Sequence, residues 1–161
     1  MPRKVAFVTG ASRGIGAEAA VALARRGYDI ALNARTLEED EQHNHVDSEK
    51  QLPGNLKSKA AEKRRAGGEA LCLQADVLDE ASMVAAVQHA LAHFGHIDLL
   101  FNNAIYQGQG NQERLLAVTR AQLDNIYQGN VFTPLALVKA VLPGMLEQRT
   151  GTIINMVSYT A

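Results

Sequence analysis

Short apolar runs and amphipathic stretches alternate along the whole 161-residue chain. Runs rich in Val, Ile, Leu and Ala recur near 4–9, 29–33, 70–74, 98–102 and 152–157, and none shows clean polar–apolar alternation. A strand wet on one face would alternate, so these runs predict parallel strands buried on both faces. Between them, helical periodicity predicts helices near 14–26, 56–66, 80–94, 112–128 and 132–148. Stop signals agree: Gly27 follows Arg25-Arg26, Gly67 follows Arg64-Arg65, and Gly95 follows Phe94. Asp79 is placed to cap the third helix, with Glu80 in its first turn. Right-handed crossovers then give an α/β fold, a doubly wound parallel sheet of order 3-2-1-4-5 in one domain, 1–161. Ligands of such sheets bind beyond the carboxyl ends of the strands, here near the switch between strands 1 and 4.

Composition narrows the class without naming a chemistry. Hydrophobic residues are 47% and charged residues 20%, as in an ordinary soluble globular protein. The net charge of −1 shows no basic excess, so no nucleic-acid partner is expected. One cysteine, Cys72, excludes an intrachain disulfide and fits a reducing, cytoplasmic setting; its place in a strand predicts a buried core thiol. No apolar stretch is expected to reach the roughly 18 residues of a membrane span. Met1-Pro2-Arg3-Lys4 leads straight into a strand, without the apolar segment of a signal peptide.

The candidate chemistry starts at Thr9-Gly10-Ala11-Ser12-Arg13-Gly14-Ile15-Gly16, between the run Val5–Val8 and the helical pattern opening at Ile15. Strand, glycine turn and helix N-terminus together suit a dinucleotide pyrophosphate. Glycines admit a tight turn and close backbone approach, while the helix offers free N–H groups and a positive dipole end. Gly10, Ser12, Arg13, Gly14, Ile15 and Gly16 are therefore the candidate phosphate-binding residues. No Lys-Ser or Lys-Thr follows, so the turn is not an NTP-binding P-loop. About 20 residues on, an Asp or Glu would take a ribose 2′-hydroxyl. The second strand ends instead in Asn33-Ala34-Arg35. Arg13 and Arg35 are placed to clamp a 2′-phosphate, which predicts NADP(H) in preference to NAD(H). Glu38 and Glu39 keep a minor NAD(H) reading open. The polar stretch 37–55, ending near Pro53-Gly54, is too long for an ordinary connection. It is either a flexible excursion or a partly ordered flap beside the cofactor.

The spacing Gly10-x-x-x-Gly14-x-Gly16 resembles the short-chain dehydrogenase/reductase family, and further marks follow in order along essentially the whole chain. Asp76-Val77 resembles the Asp-Val pair that contacts the adenine ring. Asn102-Asn103-Ala104 resembles the N-N-A-G motif, with Ile105 in place of its glycine. Asn130, thirteen residues before Pro143, matches the asparagine of the catalytic tetrad, and the run Gly151–Ser158 resembles the strand that ends at the catalytic serine. The resemblance implies a Rossmann-type fold and hydride transfer between a nicotinamide and a carbonyl or alcohol substrate. It implies cofactor contacts from Asp76, Val77, Asn103 and Ala104, and catalytic roles for Asn130 and Ser158. A helix kink at Asn130, before Thr133-Pro134, would expose a backbone carbonyl that holds a water. The family's dimers and tetramers predict a homo-oligomer. Plainer roles remain open: Asp76 as a turn cap, Asn102 and Asn103 as sheet supports, Asn130 as a helix break, Ser158 as a strand end.

The family's Tyr-x-x-x-Lys is absent: Tyr28, Tyr106, Tyr127 and Tyr159 each lack a lysine four residues on. The 161 residues are therefore expected to be the N-terminal cofactor-binding portion of a reductase, inactive alone. The alternative is a catalytically inert NADP(H)-binding fragment or an interaction module. No metal is expected. His43 and His45 lie with Asp47 in the 37–55 stretch, and His89, His93 and His96 read as surface residues without a further ligand.

Overall fold

The computed structural model describes residues 3–35, 68–111 and 113–157. The expectations for 37–55, for a helix at 56–66 and for Ser158 lie outside these residues. The described elements are β1 (Lys4–Val8), α1 (Gly14–Arg25), β2 (Tyr28–Ala34), β3 (Ala70–Gln74), α2 (Glu80–Phe94), β4 (Leu99–Asn102), α3 (Arg120–Tyr127), a π-helical turn (Gln128–Phe132), α4 (Thr133–Glu147) and β5 (Thr152–Asn155). All strand pairs are parallel and the order is β3-β2-β1-β4-β5, the Rossmann-type arrangement that the alternation predicts.

The lack of alternation in the apolar runs has the expected cause. Along β1, Val5 and Phe7 point into one cluster with Met83, Val87, Leu137 and Val141, beneath α2 and α4. Ala6 and Val8 point into the other, with Ala20, Ala24, Ile30 and Leu32, beneath α1. Both faces of the strand are dry. In α1 the buried positions Ala17, Ala20, Val21 and Ala24 recur at helical spacing, and their small side chains bring the helix backbone close to the sheet. Asp79 caps α2 as expected, accepting from Ser82 N at 3.0 Å, and Gly95 closes it with φ +82°.

Four expectations need correction. Cys72 is half-buried rather than fully buried, because β3 has a strand neighbour on only one side among the described residues. The fourth helix starts at Arg120, eight residues later than the periodicity suggests. A capping box sets that start: Thr119 Oγ1 accepts from Gln122 N (3.2 Å) and Thr119 N donates to Gln122 Oε1 (2.7 Å). The two last predicted helices are also one. Arg120–Glu147 runs through the π-turn, and its 28 residues are long and apolar enough to cross a membrane by length and composition alone. The apolar count missed this because polar residues interrupt it. In the fold, Leu137, Val141 and Met145 of this helix are buried in the first core cluster.

Candidate functional site

A crevice of about 850 Å³ opens across the carboxyl ends of the strands. Its floor is the first turn, at the point where the strand order reverses between β1 and β4, the usual ligand position in such sheets.

The turn is fixed to β4 through Thr9. Thr9 N donates to Phe101 O at 3.0 Å, and the hydroxyl donates to the same oxygen at 3.3 Å. That hydroxyl accepts from Asn103 N and Ala104 N, each at 2.9 Å, which uses its full capacity of one donor and two lone pairs. Asn103 returns the contact, its Nδ2 donating to Thr9 O (3.0 Å) and Gly10 O (3.3 Å). Gly10 sits at φ +64°, and a Cβ there would lie 2.9 Å from Asn103 Nδ2. A Cβ on Gly16 would collide with the Gly10 carbonyl oxygen. The cradle therefore exists only as bare backbone. The N-cap residue of α1, Arg13, gives no side-chain cap, and the first turn holds no acidic residue. By contrast Asp79 and Thr119 cap α2 and α3 with their side chains. The N–H groups and positive dipole end of α1 thus remain available to an anion. The donor set and the missing Cβ atoms fit a pyrophosphate.

Arg13 and Arg35 both line the crevice beyond this turn. Burial, and then the like charge of Arg35, push the Arg13 guanidinium below its ordinary value. Gln74 Nε2 donates to the Arg35 carbonyl at 2.9 Å, and Asn33, buried, donates from Nδ2 to Leu73 O and Ala75 O. These side-chain bonds hold the ends of β2 and β3 in register. Ala75 and Val77 line the crevice next to them, whereas Asp76 does not. Its Oδ1 accepts from Leu78 N at 2.9 Å, the turn-capping role. Asn102, also buried, donates from Nδ2 to Asn155 Oδ1 at 2.9 Å and so joins the ends of β4 and β5. Its own Oδ1 is the one buried side-chain oxygen among the described residues without a partner.

Asn130 lies on the opposite wall, in the π-turn. Its side chain clamps the segment after β4: Tyr106 N donates to Oδ1 at 2.8 Å, and Nδ2 donates to Tyr106 O at 3.1 Å. The neighbouring Gly129 allows this approach, since a Cβ there would stand 2.6 Å from Tyr106 Cβ. Residue 134 is proline and has no N–H to give the Asn130 carbonyl four residues back. The predicted kink is thus a one-residue widening of a continuous helix. Thr133, fully buried, ties it to the β3–α2 turn, with its hydroxyl donating to Val77 O at 2.7 Å.

Of the sequence-derived candidates, Gly10, Ser12, Arg13, Ile15, Arg35, Val77, Asn103, Ala104 and Asn130 line one crevice. Gly14, Gly16 and Asp76 lie outside the lining. Thr9 was missed as a site residue; its signal is a hydroxyl directly after a wholly apolar strand, where burial demands partners. Tyr106, Leu135, Val138 and Met156, also on the lining, carry no sequence signal.

The model of the short chain dehydrogenase family matches residues 4–161. The chain belongs to that family. It is 36% identical over 158 residues to the uncharacterized oxidoreductase YhdF of Bacillus subtilis, covering 98% of this chain and 48% of the relative. It is 30% identical over 155 residues to the 3-oxoacyl-[acyl-carrier-protein] reductase FabG of Staphylococcus aureus, covering 96% and 56%. Among solved structures, carveol dehydrogenase from Mycobacterium avium in complex with NAD superposes with a TM-score of 0.81 at 26% identity, over 98% of this chain and 55% of that one. A metagenomic short-chain oxidoreductase in complex with NADP gives 0.79 at 31%, over 98% and 63%. The short-chain dehydrogenase chain described here thus spans about half the length of the curated relatives it matches.

Proposed function

We propose that this chain is the cofactor-binding portion of an NADP(H)-dependent oxidoreductase acting on a carbonyl or alcohol substrate. The observation that carries the reading is the pair Arg13 and Arg35 on one crevice wall, next to an uncapped glycine turn. In this reading Gly10, Ser12, Gly14, Ile15 and Gly16 form the pyrophosphate cradle. Arg13 and Arg35 grip the 2′-phosphate, since planar guanidinium matches phosphate oxygens pairwise. Val77 walls the adenine, and Asn103 and Ala104 hold the cradle against β4. When bound, NADP(H) supplies or takes up the hydride. Asn130 fixes the loop at Tyr106 with its side chain and leaves its backbone carbonyl to orient a water. Ser158 is assigned to hydrogen-bond the substrate oxygen, as a positioned donor of that kind steadies developing charge.

Exposed Tyr127, Phe132, Leu135 and Leu146 on the Arg120–Glu147 helix support a homodimer or homotetramer. The single cysteine supports a reducing, cytoplasmic location.

Arg35→Asp tests the cofactor reading. It removes paired bonds to a charged phosphate, about 1.5 kcal/mol each, so the ratio of Kd for NADH to Kd for NADPH is expected to fall about 100-fold. Calorimetric titration with both cofactors measures it. An unchanged ratio would make Arg35 a bystander and overturn the NADP(H) assignment.

A further inference from the structure

Asp76 has a second contact that its turn-capping role does not use. While Oδ1 accepts from Leu78 N, Oδ2 lies 3.8 Å from Arg35 Nη1. The Asp76 amide donates to Ser82 Oγ at 3.3 Å, so the backbone beneath the carboxylate is anchored. Both side chains are more than a third or close to a third exposed, at 39% and 33%. A pair that wet is weak and easily exchanged. Arg13 stands on the same wall, near enough for Arg35 to act on it as a like charge. Two cations therefore share this end of the crevice, with one anion just behind its lining.

We propose that Asp76 is a specificity-determining residue, an internal counter-charge that competes with the cofactor's 2′-phosphate for Arg35 and limits the preference for NADP(H) over NAD(H). This rests on the NADP(H) reading of Arg13 and Arg35. Without a phosphate, the carboxylate offsets repulsion between the guanidiniums and keeps Arg35 over the crevice. A 2′-phosphate brings a charge of about −1.5 to −2 at neutral pH. It must draw Arg35 away from Asp76 and then lies beside a like charge. A 2′-hydroxyl meets neither cost. Asp76 thus weakens only the phosphorylated cofactor, and the short-chain dehydrogenase retains usable affinity for both.

Asp76→Asn is the test, because the amide keeps the shape and the Oδ1 acceptor for Leu78 N. Titration with NADPH and NADH is expected to show Kd for NADPH falling about fivefold, the upper end for a solvent-exposed pair. Kd for NADH stays within about twofold, and the NADPH gain shrinks as salt screens it. Parallel weakening for both cofactors would overturn the proposal in favour of a direct adenine contact. Selective weakening for NADPH would overturn it in favour of Asp76 orienting Arg35. If the parent chain shows no NADPH preference and Arg35→Asp changes nothing, the cofactor reading falls and takes this proposal with it. A parent preference that Asp76→Asn leaves unaltered overturns this proposal alone.

Discussion

Gly16→Ala is expected to lower NADPH affinity by about 100-fold and to destabilise the short-chain dehydrogenase fold at the same time. The added Cβ would collide with the Gly10 carbonyl oxygen and sit 2.5 Å from Asn103 Nδ2. Neither neighbour is a flexible side-chain end. The Gly10 carbonyl is backbone at φ +64°, and Asn103 Nδ2 is held by Thr9 O and Gly10 O. The turn must therefore move away from α1, and overpacking of that kind costs about 1–3 kcal/mol. For a chain of this size that is a melting decrease of about 2–4 °C per kcal/mol. Displacing two N–H donors from phosphate oxygens, at about 1.5 kcal/mol each, gives the hundredfold loss. Gly144→Ala is the matched control. It lies inside α4, where a Cβ meets nothing within 4 Å, so the same substitution is expected to stabilise by about 0.5–1 kcal/mol. Thermal melts and calorimetry on the two variants measure both effects. A Gly16→Ala protein that binds and melts like the parent would show that the turn has slack.

The sheet was legible because its signals are local. Each buried parallel strand is a short apolar run, and each crossover helix has a stripe such as Ala17, Ala20, Val21 and Ala24. The order 3-2-1-4-5 follows from right-handed crossovers once the strands are known. The glycine turn was legible for the same reason, since strand, turn and helix are contiguous. What the sequence hid is non-local or competitive. Thr119 and Gln122 form a capping box that overrides weak periodicity further upstream. Pro134 suggests a break, yet a π-turn absorbs it within one continuous helix. Asp76 shows how far a motif reaches: the residue is placed where the pattern puts it, but its carboxylate faces Leu78 N and Arg35, contacts that depend on how β2 and β3 end side by side. The clamp of Asn130 on Tyr106 joins residues 24 positions apart, and spacing alone does not reveal it.

Thr9→Val is the substitution that isolates the joint between the cradle and the rest of the sheet. Valine keeps the shape and suits the end of an apolar strand, so packing is retained and only the hydroxyl is lost. The loss falls on the partners. Phe101 O keeps its bond from Thr9 N, but Asn103 N and Ala104 N lose their acceptor at a site where Thr9 is 2% exposed. Each stranded N–H costs about 1–3 kcal/mol, so a destabilisation of about 3 kcal/mol and a melting decrease of about 6–12 °C are expected. The Asn103 side chain still reaches Thr9 O and Gly10 O, so the turn loosens from β4 without detaching. NADPH affinity is expected to fall about tenfold, the effect of about 1.4 kcal/mol. Thr9→Ser separates the hydroxyl from the methyl: it restores the acceptor and should recover most of the stability and nearly all of the affinity. If Thr9→Val melts within about 2 °C of the parent, a shift worth less than about 1 kcal/mol, the two amides have found other partners and the cradle is held by Asn103 alone. If Thr9→Ser fails to recover affinity, the methyl group rather than the hydroxyl sets the position of the turn.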